Sequence, residues 1–148
     1  MERSTVRIGT AFAVVAALGG CTSLDVKKLP PQPAKIDCVC ITKNADMNVD
    51  DLVQVVQEGF ARHGLPTKLI DGSMPAECRY VLQYTADRWW DMAPYMVDAK
   101  LTLTRDGVFV ASGHYHLNGH GGFDLAKWAG TASKLNPVID QMLQDYHQ

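Results

Sequence analysis

His114 and His116 sit two residues apart in a β-rich run, so both imidazoles leave the same face of the strand, and His120 follows in a glycine-rich loop. Two imidazoles at that spacing make half of a zinc site. A third ligand must converge and a fourth position must be held or left to water. His120 and Asp124 are the third ligands that sequence proximity offers. No H-E-x-x-H and no cysteine ligand pattern accompanies the pair, so solvated strand-edge histidines are the simpler reading, and neither metal nor cofactor is expected.

The other chemistry-bearing residues are sparser. Ser73, Ser112 and Ser133 lack a readable base and orienting carboxylate, there is no G-x-S-x-G, and no pair of acids stands out for glycoside hydrolysis. Gly119-x-Gly121-Gly122 lacks the Lys-Ser/Thr of a phosphate loop, and Asp124 beside it would repel an anion. The chain is therefore expected not to be an enzyme. Trp89, Trp90 and Tyr95 concentrate aromatic surface in what reads as the connection between the third and fourth strands. Aromatic side chains anchor binding hot spots and membrane interfaces, which makes these three the candidate contact surface. The bland alternative is that one Trp closes the end of the core while Asp91 and Pro94 shape the turn.

Positioning begins at the N-terminus. Arg3 and Arg7 precede an apolar, small-residue stretch over 9–20, a signal-peptide pattern by length and flanks and too short to cross a bilayer. It ends Leu18-Gly19-Gly20-Cys21, which resembles the lipobox of bacterial lipoproteins. The resemblance implies cleavage before Cys21 and acylation of its thiol. A multiply acylated terminus meets the two-signal requirement for stable anchoring. Thr22, rather than Asp, after the cysteine implies the outer membrane, facing the periplasm. Residues 1–20 are thus expected to be a lipoprotein signal peptide, 21–35 a lipidated Cys and Pro-rich tether, and 36–148 a single domain. Pro30, Pro31 and Pro33 exclude a helix or central strand, and an extended tether of this length would hold the domain about 40 Å from the bilayer.

The 148 residues carry 14 Lys+Arg against 16 Asp+Glu, and this balance gives no electrostatic case for nucleic-acid binding. Within the domain, residues 37–42 read as a strand, and Val49, Leu52, Val53, Val56 and Phe60 recur at helical spacing over 48–63. Gly64 and Pro66 then stop the helix. Residues 67–70 form the next strand, parallel to the first through a right-handed crossover. Residues 78–86, 95–104 and 108–116 follow as strands, the last two joined by the hairpin signal Asp106-Gly107. Strict alternation over 95–104 gives one apolar and one wet face. The final helical stretch, 124–146, carries apolar stripes before and after Pro137, where a kink or a new helix is expected. The fold class is α+β, a two-layer sandwich. Its four- to five-stranded, mostly antiparallel sheet carries two helices on one face, in the order βαββββα.

With Cys21 acylated, three cysteines remain: Cys38, Cys40 and Cys78. A C-x-C pair cannot easily bridge itself, so Cys78 joins one of the two. Cys40, deeper in the strand, is preferred, and Cys38 is the alternative.

Several blocks taken together resemble the Sbal-type family of small proteobacterial lipoproteins: the lipobox, VCITKN (39–44), EGFARHG (58–64), WDMAPYMVDA (90–99) and GGFDLAKW (121–128). The resemblance implies a cysteine in the first strand and another before the third, which Cys40 and Cys78 fit, while Cys38 is an extra. It supplies no reaction. The expected role is a non-enzymatic binding or assembly module of the cell envelope, with the membrane and possible envelope proteins as partners. A metal or small-ligand binder using His114 and His116 is the alternative.

Overall fold

The computed structural model describes residues 22–32, 34–47, 49, 51–121 and 124–146. The expected signal peptide, the expected acylation site Cys21 and the side chain of His120 lie outside that description. Six strands and two helices follow in the order β1 (Thr22–Lys27), β2 (Val39–Thr42), α1 (Leu52–Arg62), β3 (Thr67–Ile70), β4 (Tyr80–Asp91), β5 (Ala93–Arg105), β6 (Val108–Leu117) and α2 (Thr131–Met142). The strands form one mixed sheet, ordered β1-β6-β5-β4-β2-β3. The α+β class holds, and β2 and β3 are parallel as the crossover requires. The sheet is larger than expected, six strands rather than four or five, and β2 also runs parallel to β4.

Alternation decides which face is buried. Leu82, Tyr84 and Ala86 of β4, Ala99, Leu101 and Leu103 of β5, and Ala111 and Tyr115 of β6 point into the core. Gln83, Thr85, Lys100 and His116 point the other way. Leu52, Val55, Val56 and Phe60 of α1 and Leu135, Val138, Ile139 and Met142 of α2 supply the opposing apolar layer. Two glycines set how closely the layers approach. A Cβ on Gly59 would meet Ile139 Cδ1 at 2.8 Å, and one on Gly113 would meet Val138 Cγ1 at 2.3 Å. Only a missing side chain lets α2 settle against α1 and β6 at these points.

Three expectations need correction. Residues 22–27 are not a solvated tether: they form β1, antiparallel to β6 from Thr22↔Leu117 to Lys27↔Ser112. Every proline that argued against a strand lies after it, and an edge position asks only for one ladder. The following segment is also docked. Leu29 is fully buried and its N–H donates to the Met142 carbonyl at 2.7 Å, while the Ile36 N–H donates to Tyr146 Oη at 3.2 Å. The spacing of about 40 Å from a bilayer therefore does not apply.

Secondly, β4 and β5 extend through the expected connection and pair as far as Asp91↔Ala93, leaving Met92 alone at the turn. Thirdly, the C-terminal stretch breaks at Gly130, not at Pro137. A 3₁₀ turn over Leu125–Trp128 ends before Gly130, whose extended backbone (φ −62°, ψ 162°) precedes α2, and Pro137 lies inside α2. Pro137 and Ser133, whose carbonyl loses its partner, are both exposed, so water can satisfy what the proline removes. Leu125, expected in the apolar stripe, is 79% exposed.

Cys40 and Cys78 form a disulfide with Cα atoms 5.8 Å apart, tying β2 to the start of its neighbour β4. Cys38 is free and half-buried.

Candidate functional site

The open face of the sheet brings the two histidines together with a residue that sequence proximity did not offer. Pairing of β5 with β6 sets Asp98 opposite His116 and Lys100 opposite His114. Asp98 Oδ2 lies 2.7 Å from His114 Nε2 and 2.9 Å from His116 Nδ1, so one carboxylate oxygen accepts from both rings. Among the described residues these three side chains form a group whose possible ligand atoms all lie within 4.8 Å of one another. Asp124, the third ligand suggested by sequence, instead caps the 3₁₀ turn by accepting from the Ala126 N–H at 2.9 Å.

A β-bulge accounts for the difference. Arg105↔Val108 and Thr104↔Phe109 pair directly, but Leu103 pairs with Ala111, so Val110 is the extra residue. Counting back from the Asp106-Gly107 turn without this bulge would set Asp98 opposite Tyr115, on the wrong face. The turn and the alternation were legible signals for Asp98, and the bulge was the missing one. Neighbouring strands add charge: Asp25 of β1 stands opposite His114, and Asp87 of β4 stands opposite Asp98. Like charges facing one another across a ladder are unfavourable without a cation nearby.

The second candidate region is the β4–β5 hairpin tip. Trp89, Trp90 and Met92 are 54%, 73% and 84% exposed. Tyr95 is not part of this surface: at 5% exposure it belongs to the core, with Lys127 Nζ 5.5 Å and Lys134 Nζ 6.0 Å from its ring centroid. The 3₁₀ turn braces the tip. Lys127 Nζ pairs with Asp91 Oδ2 at 2.5 Å, and Trp128 Nε1 donates to the Asp91 carbonyl at 3.0 Å. Met92 makes the turn with φ 60°, a left-handed conformation in which a non-glycine residue is strained by about 1–2 kcal/mol. An apolar residue that is both strained and exposed is where function, rather than folding, is the better explanation.

Lys134 is buried beneath this end of the sheet, donating to the carbonyls of Met96 (2.9 Å) and Lys127 (2.5 Å). Burial, and then the charge of Arg88, push its ammonium below the ordinary lysine range. Its two acceptors and the nearby Tyr95 and Tyr115 rings make it a structural strut between α2 and the tip.

The strand directions define the end of the molecule to which the tip belongs. The C-terminus of β4, the N-terminus of β5, the C-terminus of β6 and the N-terminus of β1 all lie at one end of the sheet. Met92, at the turn just before β5, precedes Asp98 by six residues, ~20 Å at the rise of a strand. At the opposite end a cleft of about 310 Å³ beside the disulfide is lined by Lys35, Asp37, Cys38, Glu77 and Arg79. Its charges are mixed, and no ligand set converges there among the described residues.

No protein-family model matches this chain, and no curated protein does. The Sbal-type resemblance therefore rests on its sequence blocks alone. Solved structures do match. One is the PelC dodecamer from Paraburkholderia phytofirmans in space group P6, with a TM-score of 0.57 and 14% identity over 85% of this chain and 99% of that one. A Leu-to-Met variant of the same dodecamer in space group C2 gives a TM-score of 0.56 and 14% identity over 83% and 96%. At that identity the likeness is one of fold. The shared arrangement spans nearly the whole of the PelC chain, which makes it a likeness of complete domains.

Proposed function

We propose that this chain is a lipoprotein of the cell envelope, cleaved before Cys21, acylated there and held on the periplasmic side of the outer membrane, where it works by contact rather than catalysis. The leader and lipobox support the anchor. The Cys40–Cys78 disulfide suits an oxidising compartment. Among the described residues no helix is long and apolar enough to cross a membrane, so attachment falls to the lipid and to whatever surface lies beside it.

The observation that carries this reading is that β1 starts at the same end of the sheet from which the Trp89–Trp90–Met92 tip projects. Thr22 is already hydrogen-bonded into the sheet, so an acyl group on Cys21 has no tether and draws that end against the bilayer. The occupant of the tip is accordingly the headgroup interface, where Trp is the preferred side chain. A protein partner at the same tip is the competing outcome.

Labelling of growing cells with radioactive palmitate, followed by membrane fractionation, tests the reading. The native chain is expected to carry label and to sediment with outer membranes, and Cys21→Ser to lose both. Unlabelled native chain, or a Cys21→Ser variant that still sediments with membranes, would overturn the anchor. A protein crosslinked to the native tip and lost from a Trp90→Asp, Met92→Asp double variant that keeps the label would move the tip from lipid to that partner.

A further inference from the structure

We infer that Asp98, His114 and His116 form a site for one borderline divalent transition-metal ion, zinc being the representative, on the open face of β5 and β6. The inference stands apart from the membrane contact, because it concerns the solvated sheet face and needs no anchor.

Three donors of the right chemistry converge here: two imidazole nitrogens, His114 Nε2 and His116 Nδ1, and one carboxylate oxygen, Asp98 Oδ2. Imidazole selects zinc, copper and nickel over magnesium and calcium, which seek shells of oxygen. In a tetrahedral zinc site, with Zn–N and Zn–O near 2.0–2.1 Å, neighbouring ligand atoms lie about 3.3 Å apart. The Asp98–His separations of 2.7 and 2.9 Å are those of hydrogen bonds, and all three ligand atoms lie within 4.8 Å of one another. An ion therefore asks the carboxylate oxygen to draw back by a few tenths of an ångström and the two imidazole nitrogens to settle at the same spacing. Each neutral ring need only carry its proton on the nitrogen facing away from Asp98. The three side chains are partly exposed, which leaves the remaining coordination positions to water.

The ligands are mounted for the task. All three stand on paired strands of a six-stranded sheet, and the Val110 bulge is what brings Asp98 into register with His116. A second observation points to a cation independently of the donor set. Asp87 faces Asp98 across the β4–β5 ladder and Asp25 faces His114 across the β1–β6 ladder, giving a face with three carboxylates around two imidazoles. Lys100, opposite His114, is a cation that the register sets beside these groups, and it offsets only part of this charge. A bound divalent ion relieves the facing of Asp87 and Asp98.

Full-length chain purified in detergent and stripped with a chelator is titrated calorimetrically with zinc chloride. One ion per chain is expected. Loss of even an outer-shell partner costs ~10–100-fold in metal affinity, so His114→Ala, His116→Ala and Asp98→Asn should each weaken binding by ~10-fold or more. His63→Ala, remote in the fold, should not. Absence of binding to the native chain, or native affinity in all three variants, overturns the site. Should the variants lose their circular-dichroism signature, X-ray absorption of the zinc-loaded native chain decides instead. Two imidazole nitrogens with oxygen donors support the assignment, and a sulfur donor from Cys38 or an all-oxygen shell refutes it.

Discussion

Thr22 lies directly opposite Leu117 across the β1–β6 ladder, so the chain is already part of the sheet one residue after the predicted acylation site. An edge strand here does two things at once. It covers the open side of β6, which would otherwise present unpaired backbone groups, and it fixes the direction from which a lipid on Cys21 would pull. The β4–β5 hairpin points the same way, with Trp90 and Met92 at its tip.

If residues 22–35 were a tether, trypsin would cut at Lys27, Lys28 or Lys35 long before the domain. With β1 paired, Lys28 bridged to Asp145 and Leu29 buried, those bonds should resist limited digestion until the whole domain opens. Mass spectrometry of early fragments checks this. Rapid loss of the N-terminal segment from an intact core would contradict it.

Met92 separates stability from function. Met92→Gly relieves the left-handed strain and removes the exposed apolar side chain together. The variant should gain about 1 kcal/mol against urea yet bind anionic vesicles more weakly than the native chain. A variant that is destabilised, or that binds vesicles unchanged, would count against a contact role for the tip.

Of the two glycines that set the layer spacing, Gly113 leaves less room for a side chain. Gly113→Ala forces a Cβ to within 2.3 Å of Val138 Cγ1, and such overpacking costs typically ~1–3 kcal/mol. Adding Val138→Ala should return part of that loss by making room. The urea midpoints of the two variants measure it.

Asp140 joins the helices by accepting from Arg62 (3.0 Å) and His63 (2.9 Å) at the end of α1. Partial burial pushes its carboxyl up, but the hydrogen bonds from His63 and Arg62 outweigh this and hold it below the ordinary carboxylate range. A depressed carboxyl adds stability above its unfolded pKa, near 4, and that stability is lost as the pH falls through the lower folded value. Half-exposed, the pair should be worth under ~1 kcal/mol. Asp140→Asn should therefore lower the melting temperature slightly at pH 7, with the difference closing below about pH 4. A difference that persists at pH 2 would assign the effect to packing instead.

Much of this architecture was legible in residue patterns. The helix stopped before Gly64, the parallel β2–β3 pair and the Asp106-Gly107 hairpin follow from periodicity and turn chemistry, and the preference for Cys40 over Cys38 as the partner of Cys78 from its deeper place in the strand. What escaped was set by tertiary context. β1 has weak strand character of its own and exists because β6 offers a ladder. The turn at Met92 violates the glycine preference for left-handed backbone, so the hairpin read as a loop. Pro137 looked like a helix break, but its lost acceptor faces water. The candidate metal site was half visible: the His114–His116 spacing announced one strand face, but its third member, Asp98, depended on a bulge with no sequence signature.

Tryptophan quenching by brominated phospholipids tests the proposed membrane contact of the tip most directly. The acylated full-length chain, reconstituted in vesicles brominated near the headgroups, should show blue-shifted and strongly quenched emission. Replacing Trp89 and Trp90 by Phe should remove most of the quenching, while Trp128→Phe should leave it. Emission indifferent to the brominated lipid, or quenching that survives loss of Trp89 and Trp90, would show that this end of the sheet does not meet the bilayer.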